Sequence, residues 1–272
     1  MAEFIFNNKK IYYEVHGEGK PLLLLNGIMM STSSWKLFVE PFSQHNQLIL
    51  VDFLDQGQSE RLEGVPYKQS LQVELLHALL DHLKLEKVYM VGISYGSEVA
   101  IQFAIKYQHR LEKLGLFNGA ASTSPWLHDI GRGWVEVAKS NNPLAFYKIT
   151  IPIIYSPEFY NKNLDWMKRR EAFLVPVFTE KFLTGMIRLI ESSEGYDCRD
   201  QVKEIKVPTL IVGCEQDYLV PLHEQKFLNQ EIKNSEFVII PNCGHASMYE
   251  KPALFISLIN GFLNSKTDVS VL

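Results

Sequence analysis

Short apolar runs alternate with segments of helical spacing along most of this chain, and this alternation limits the folds that it can adopt. Helix-like segments lie between the runs, notably at 69–83 and 94–107. Short continuous apolar runs are typical of parallel strands that are covered by helices on both faces. The pattern predicts an α/β fold with a mostly parallel, doubly wound sheet and ligand chemistry at the carboxyl edge of its strands. The runs lie at 22–25, 48–51, 88–91, 114–117, 209–212 and 237–240.

The two ends of the chain have a different pattern. At the amino end, apolar and aromatic residues at 4–6 and 11–15 flank Asn7 and Asn8. Adjacent asparagines between two strand-like runs favour a tight turn, so we expect an antiparallel hairpin there. The last residues, 265–272, are predicted to form a loose tail.

The interval 120–204 contains no run that predicts a strand. An insertion of this size just after a strand is typical of a lid, so we expect a helical cap inserted after the sixth strand. The core would then consist of 1–119 and 205–264. Helical spacing within the interval occurs at 131–140, 157–174 and 179–192, with several prolines between these segments.

Residues 92–96 read Gly-Ile-Ser-Tyr-Gly and follow directly on the apolar run at 88–91. A strand, a sharp turn and a helix around a serine are typical of a nucleophile elbow, in which strained backbone holds the hydroxyl exposed. The two glycines leave room beside so tight a turn. Ser94 is therefore a candidate nucleophile; the alternative is a glycine-rich turn whose serine merely caps the next helix.

A serine hydroxyl is a weak nucleophile near neutral pH, so this hypothesis requires a base and an acid that orients it. Asp217 follows the apolar run at 209–212, and His245 follows the run at 237–240. The order Ser94, Asp217, His245 is the order expected of a triad whose members lie at the carboxyl ends of strands.

These residues identify the chain as similar to the α/β-hydrolase superfamily, in its cap-bearing esterase, lactonase and thioesterase branch. The resemblance covers nearly the whole chain. Segment 213–221 is similar to the acid-bearing segment of the family, and 242–245 resembles its Gly-His turn. Segment 52–59 resembles the D-x-R-G-x-G-x-S loop, with glutamine and a shifted spacing replacing parts of that pattern.

The resemblance also implies an oxyanion hole made of two backbone amides, those of Ile28 and Tyr95. The family usually carries His-Gly before the first of these residues, whereas this chain has Asn26 and Gly27. Asn26 could hold the loop through side-chain hydrogen bonds, or it could reach into the pocket and bind substrate.

Further candidate substrate-binding residues come from the cap and from the neighbourhood of the proposed triad: Met29, Trp126, His128 and Met248. The cap interval is rich in aromatic side chains, of which we expect about half to pack in the core and half to line a pocket. Such a pocket would favour medium-chain or ring-bearing apolar acyl groups over acetate.

Composition restricts the classes of partner. The chain carries 27 Lys plus Arg against 31 Asp plus Glu and has no basic run, so electrostatics give no support for nucleic-acid binding. Its apolar stretches are shorter than a membrane span, and the amino end lacks a signal-peptide pattern. Three cysteines without a metal-type spacing fit a reducing compartment. We therefore expect a cytoplasmic protein that binds neither membrane nor metal.

The residues together predict an ester-bond hydrolase that forms an acyl-enzyme with a small-molecule acyl substrate and needs no cofactor. Esters, thioesters, lactones and carbon–carbon bonds activated by a ketone are all handled by similar triads, so the leaving group stays open. A ligand-binding homologue without hydrolytic activity is a further alternative, because function depends on the site rather than on the architecture. The sequence leaves the oligomeric state open.

Overall fold

The computed structural model describes residues 2–265, and this part of the chain is organised around one eight-stranded sheet. The strand order across the sheet is 1-2-4-3-5-6-7-8, with antiparallel pairing for 1-2 and 2-4 and parallel pairing elsewhere. The predicted mostly parallel α/β sheet is confirmed. The strands are β1 (Ala2–Phe6), β2 (Lys9–His16), β3 (Lys20–Leu25), β4 (Asn46–Val51), β5 (Val88–Ile93), β6 (Leu111–Phe117), β7 (Thr209–Cys214) and β8 (Ser235–Ile240).

Both faces of the parallel part of the sheet are buried, as the doubly wound prediction requires. In β3, Leu22 and Leu24 belong to one apolar cluster, and Leu23 and Leu25 belong to the cluster on the opposite face. Alternate side chains of a strand point to opposite faces, so an unbroken apolar run is needed when both faces are covered.

Different helices cover the two faces. Helices α2 (Ser70–His82), α3 (Tyr95–Tyr107) and α9 (Leu222–Glu231) contribute to the cluster that contains Leu23 and Leu25. The 3₁₀ segment Thr32–Phe38 and helices α1 (Val39–Ser43) and α11 (Pro252–Asn264) contribute to the cluster that contains Leu22 and Leu24. A short helix, α10 (Ser247–Glu250), precedes α11.

The amino-terminal hairpin is confirmed. Asn7 and Asn8 connect β1 to β2 with φ values of 47° and 60°. Two successive residues at positive φ form the turn type whose twist matches that of the flanking strands, and asparagine tolerates this conformation well. Of the predicted tail, residues 266–272 lie outside the described residues.

Between β6 and β7 the chain forms five α-helices, two short 3₁₀ helices and one isolated bridge, which joins Ser122 to Asp197. They pack around a third apolar cluster, which also includes Leu219 and Val220 next to the sheet edge. The interval therefore has the helical structure that the prediction of a cap requires. The cap helices are α4 (Pro125–Lys139), α5 (Pro143–Ile154), α6 (Pro157–Lys162), α7 (Leu164–Leu174) and α8 (Glu180–Ser192).

This interval contains more helices than the three predicted segments, because prolines start helices here. Pro125, Pro143 and Pro157 each occupy the first position of a helix. Proline fits there because the first amide of a helix has no intrahelical acceptor. Helix α5 was missed entirely, and α4 begins six residues before the predicted start at 131.

One buried carboxylate lies where the cap meets the sheet domain. Asp55 Oδ1 accepts hydrogen bonds from Arg188 Nε (2.9 Å) and Arg188 Nη2 (2.6 Å) of α8. The Asp55 side chain is fully buried. Losing one partner of a buried ion pair leaves an uncompensated charge, so this contact attaches the cap to the loop after β4.

A second buried carboxylate, Glu98 on α3, has no cationic partner in the described part of the chain. Its Oε2 accepts a hydrogen bond from Gln69 Nε2. Burial raises the pKa of the Glu98 carboxyl to about 8, and the hydrogen bond from Gln69 lowers it by less than burial raises it. The folded protein therefore favours the neutral acid near neutral pH.

We expect Glu98→Gln to stabilise the protein at pH 8 by roughly 5 °C in Tm, and by much less at pH 5. The unfolded carboxyl ionises near 4.5, whereas the folded one ionises near 8. The contribution of Glu98 to stability is therefore full below the unfolded pKa and is lost as the pH rises toward 8. Thermal unfolding of both proteins at the two pH values tests this, and equal Tm shifts at both would contradict it.

Candidate active site

The turn between β5 and α3 places Ser94 in a conformation that few residues adopt. Its backbone has φ 53° and ψ −121°, and its amide donates to the Phe117 carbonyl (2.9 Å). A Cβ on Gly92 would lie 2.3 Å from the Gly96 carbonyl oxygen, and one on Gly96 would lie 2.7 Å from the Leu25 carbonyl oxygen. Only glycine fits at either position, as the strained turn predicts.

The alternative interpretation of Ser94 as a helix cap does not fit this geometry. Ser94 occupies the cap position of α3, but its side chain makes no capping hydrogen bond. A serine that served as a cap would accept from an amide of the first turn. The hydroxyl is instead part of the wall of a cavity between the sheet edge and the cap.

The proposed acid and base contact each other directly. The distance from Asp217 Oδ2 to His245 Nδ1 is 2.7 Å, and both side chains are buried. Asp217 lies in the loop after β7, and His245 lies in the loop after β8. The parallel strands bring the two loops to the same edge of the sheet, as the sequence predicts.

The Asp217 carboxylate is held in place by three further donors. Its Oδ1 accepts from the amides of Leu219 (3.0 Å) and Val220 (2.8 Å), and its Oδ2 accepts from Asn118 Nδ2 (2.9 Å). With the contact to His245, both oxygens are occupied. A carboxylate so fixed orients the imidazole and favours the tautomer with the proton on Nδ1.

Ser94 and His245 lie on the wall of the same cavity, which has a volume of about 680 Å³. Among residues 2–265, no hydrogen bond joins the serine hydroxyl to the imidazole. Such bonds are often long in a free enzyme and shorten when substrate binds. The cavity thus brings together a strained serine and an imidazole whose other nitrogen is bonded to a carboxylate.

Of the two residues proposed to form the oxyanion hole, Ile28 lines the same cavity as Ser94 and Tyr95 directly follows Ser94 in the chain. Neither the amide of Ile28 nor that of Tyr95 donates to a protein acceptor within residues 2–265. Gln56 Nε2 donates to the carbonyls of Gly27 (3.0 Å) and Ile28 (3.2 Å) and so fixes the loop after β3. Sequence reasoning missed Gln56, which occupies a position in the loosely matching 52–59 loop.

Asn26 holds this loop and does not bind substrate from the cavity wall. Its Nδ2 donates to the carbonyl of Val51 (2.9 Å) and to Gln56 Oε1 (3.1 Å), and its Oδ1 accepts from Trp35 Nε1 (2.7 Å). The side chain is fully buried and lies outside the cavity lining. Of the two roles left open by the sequence, the structural one is correct, and the substrate-binding assignment is wrong.

The other proposed substrate-binding residues divide into two groups. Met29 and Met248 line the cavity, as predicted. Trp126 does not: it is 55% exposed and donates through Nε1 to the Tyr218 carbonyl (2.9 Å). His128 is exposed beside Asp129 and lines a smaller pocket that also includes Ser94. The assignment of Trp126 is wrong, because its side chain lines neither pocket, whereas that of His128 stays a prediction.

The cap contributes aromatic and aliphatic side chains to the cavity. We expect about half of the cap aromatics to pack in the core and half to line a pocket, and Phe146 and Tyr147 are among those buried within the cap cluster. The aromatic residues of the cap on the wall are Trp134, Tyr155, Phe173, Phe178 and Phe182. This wall surrounds the serine with mainly apolar surface.

Glu250 connects the turn that carries His245 to the cap. Its Oε1 accepts from the amides of Gly244 (3.1 Å) and Ser156 (2.8 Å), and its Oε2 accepts from the Ser156 hydroxyl (2.6 Å). Ser156 belongs to the cap and caps α6. Sequence reasoning did not single out Glu250, because its partner lies 94 residues away along the chain.

Membrane-spanning helices and metal-binding clusters are both absent from residues 2–265. No helix in this range is long and apolar enough to cross a membrane. In the same range, no group of three or more His, Cys, Asp or Glu side chains could hold a metal ion.

Comparison with known proteins identifies the family. A family model described as alpha/beta hydrolase fold matches residues 20–252. The chain belongs to the α/β-hydrolase family. The superfamily resemblance found in the sequence is thereby confirmed.

The relatives of this α/β hydrolase have names that refer to different substrates. The crystal structure of MGS-M2, an α/β-hydrolase enzyme from a Medee basin deep-sea metagenome library, is 50% identical, with a TM-score of 0.97 over 99% of this chain and 100% of that one. A 2-hydroxy-6-oxo-2,4-heptadienoate hydrolase of Pseudomonas putida is 28% identical over 91% of this chain and 90% of its own. A putative carbamate hydrolase RutD of Azorhizobium caulinodans is 25% identical over 93% and 94%.

We expect Asn26→Ala to lower both stability and any hydrolytic activity of this α/β hydrolase. The substitution removes three hydrogen bonds and leaves Trp35 Nε1 without its acceptor, which costs about 1–3 kcal/mol. Thermal unfolding and kcat for an ester substrate measure the two effects. Asn161→Ala, at an exposed position of α6, is the control and should change neither; an unchanged Tm for Asn26→Ala would refute the structural role.

Proposed function

We propose that the protein is a serine hydrolase that cleaves a carboxylic ester, thioester or lactone through an acyl-enzyme, with Ser94, His245 and Asp217 as its triad. The observation that supports this most is the 2.7 Å contact between Asp217 and His245 beside the same cavity as the strained Ser94. A nucleophile, a base and an orienting acid in this chain order are the components of such a triad.

In the proposed mechanism, His245 Nε2 takes the proton of the Ser94 hydroxyl as its oxygen attacks the substrate carbonyl. Asp217 fixes the ring and stabilises the imidazolium that forms. The amides of Ile28 and Tyr95 donate to the oxyanion of the tetrahedral intermediate. His245 then protonates the leaving group, and the acyl-enzyme is hydrolysed by a water molecule that the same histidine activates.

Cleavage of a carbon–carbon bond next to a ketone is a second candidate. The relative from Pseudomonas putida, named a 2-hydroxy-6-oxo-2,4-heptadienoate hydrolase, matches most of this chain. Parallel assays with simple aryl esters and with a vinylogous 1,5-diketone compare the two reactions. A kcat/KM for the diketone far above those for esters, thioesters and lactones would favour the second candidate and leave the triad residues in their roles.

We expect Ser94→Ala to abolish turnover and to leave the fold intact. The change removes one hydroxyl from the cavity wall, whereas losing a triad serine costs several orders of magnitude in kcat. Ester hydrolysis and circular dichroism measure the two outcomes. Serine side chains that also line the cavity, at Ser31 and Ser33, provide matched alanine controls; activity of Ser94→Ala within tenfold of the parent would exclude it as nucleophile.

Asp217→Asn should lower kcat by roughly 10⁴-fold, because an amide at this position permits the wrong imidazole tautomer. The size of the side chain is preserved, so any loss reflects its hydrogen bonding. Asp129→Asn and Asp200→Asn, at exposed positions, should retain parental kcat. An active Asp217→Asn alongside an inactive control would mean that the acid has been assigned to the wrong loop.

The apolar cavity wall should favour medium-chain acyl groups over acetate. Each buried methylene contributes about 0.8 kcal/mol, so two extra methylenes should raise kcat/KM by roughly tenfold. The measurement is kcat/KM across a series of 4-nitrophenyl esters from acetate to dodecanoate. A maximum beyond butanoate supports a cavity that selects by burial, whereas a steady decline from acetate upward argues against it.

A further inference from the structure

The cavity beside Ser94 has an excess of positive charge, although the whole chain has a net charge of −4. Four cationic side chains line it, and within residues 2–265 none of them forms an ion pair. Asp55 is the carboxylate on the same wall, and Arg188 outside the cavity already pairs with it. Two of these cations are exposed lysines, and two are half-buried arginines. Half-buried cations are normally paired, so the unpaired arginines indicate an anionic ligand. The four cations are Lys36, Arg61, Arg170 and Lys181.

Arg170 is positioned on this wall by aromatic side chains. Its guanidinium carbon lies 4.3 Å from the ring centre of Tyr249 and 5.2 Å from that of Trp166. Its Nε is buried and has no hydrogen-bond partner. Stacking on aromatic faces holds the guanidinium plane while leaving its N–H edge free to donate. Tyr249 also lines the cavity and follows His245 by four residues.

Arg61 presents a second unsatisfied guanidinium. Its Nε and Nη1 are buried without partners, and Nη2 makes one long hydrogen bond to the Gly57 carbonyl (3.3 Å). Burial lowers the pKa of Arg61, although the nearby Asp55 opposes that shift. Asp55 Oδ1 is bonded to Arg188, and Asp55 Oδ2, which has no hydrogen-bond partner, forms neither a hydrogen bond nor an ion pair with Arg61. A planar anion with two oxygens would satisfy donors in this fork arrangement.

We propose that Arg61 and Arg170 form a carboxylate subsite, and that the substrate of this hydrolase carries a carboxylate at a distance from its scissile carbonyl. This proposal rests on the proposed function and specifies its substrate class. The apolar wall would bury the body of the substrate, and the guanidinium groups would bind its charged end. Substrates with an apolar end should therefore be disfavoured relative to matched ones with a carboxylate.

The test uses pairs of esters that differ only in charge. On the acyl side, monophenyl hexanedioate and octanedioate are compared with phenyl hexanoate and octanoate. On the leaving-group side, 4-carboxyphenyl butanoate is compared with 4-carbamoylphenyl butanoate. We expect kcat/KM for the carboxylate member to be roughly tenfold to hundredfold higher in at least one arm, since hydrogen bonds to charged groups are strong. This preference should decrease with added salt.

Arg61→Gln and Arg170→Gln should each reduce the ratio of kcat/KM values, charged over neutral, by about tenfold. Arg169→Gln is the matched control, because it removes the same charge from an exposed neighbouring position of α7 and should leave the ratio unchanged. A ratio near one in both arms for the parent protein overturns the proposal. So does a preference that survives in both arginine variants.

Calorimetric titration with hexanedioate separates failure of the subsite from failure of the proposed function. Binding to the parent that is lost in the arginine variants supports the subsite even if no ester is hydrolysed. Hydrolysis of neutral esters together with absence of hexanedioate binding and of any charge preference refutes the subsite and leaves the function in place. Binding of inorganic phosphate as tight as that of hexanedioate would refute the assignment to a carboxylate.

Discussion

The close backbone contact around the β5–α3 turn is the constraint on which the rest of the site depends. Strand β3, the turn and α3 approach one another so closely that positions 92 and 96 have no space for a side chain. This contact holds Ser94 at positive φ and sets the end of β3 beside the first turn of α3. The proposed nucleophile and the loops that carry both proposed oxyanion donors, Ile28 and Tyr95, therefore obtain their relative positions from one packing arrangement rather than from separate flexible segments.

Sequence reasoning predicted the sheet, because short apolar runs and glycine-rich turns record local requirements of the backbone. It also predicted that Asp217 and His245 lie close together, since the ends of parallel strands meet at one edge. The cap was harder to predict. Its helices begin at prolines that resemble breaks, and the direction in which Trp126 and His128 point depends on how α4 packs. Asn26 had two possible roles because its partners Trp35 and Gln56 are brought to it by tertiary structure.

The cavity places two positive charges beside a mainly apolar wall. Because this wall excludes water, the guanidinium groups of Arg61 and Arg170 are neither fully solvated nor paired in the free protein. Such a site costs stability and persists where function requires it. The buried pair of Asp55 and Arg188 lies at the same boundary, but its two charges neutralise each other within the protein, so it serves attachment of the cap.

The Glu250 contacts have a consequence for exchanging caps between related proteins. One carboxylate receives hydrogen bonds both from Ser156 in the cap and from Gly244, next to His245. A chimera that replaced residues 120–204 with a foreign cap lacking a donor at position 156 would leave Glu250 buried and only partly bonded. The turn that carries the imidazole would lose a support that lies outside the transplanted segment. Ser156 and Glu250 therefore have to come from the same parent protein in such a chimera. A recombination boundary between them would divide one hydrogen-bond network between two parents.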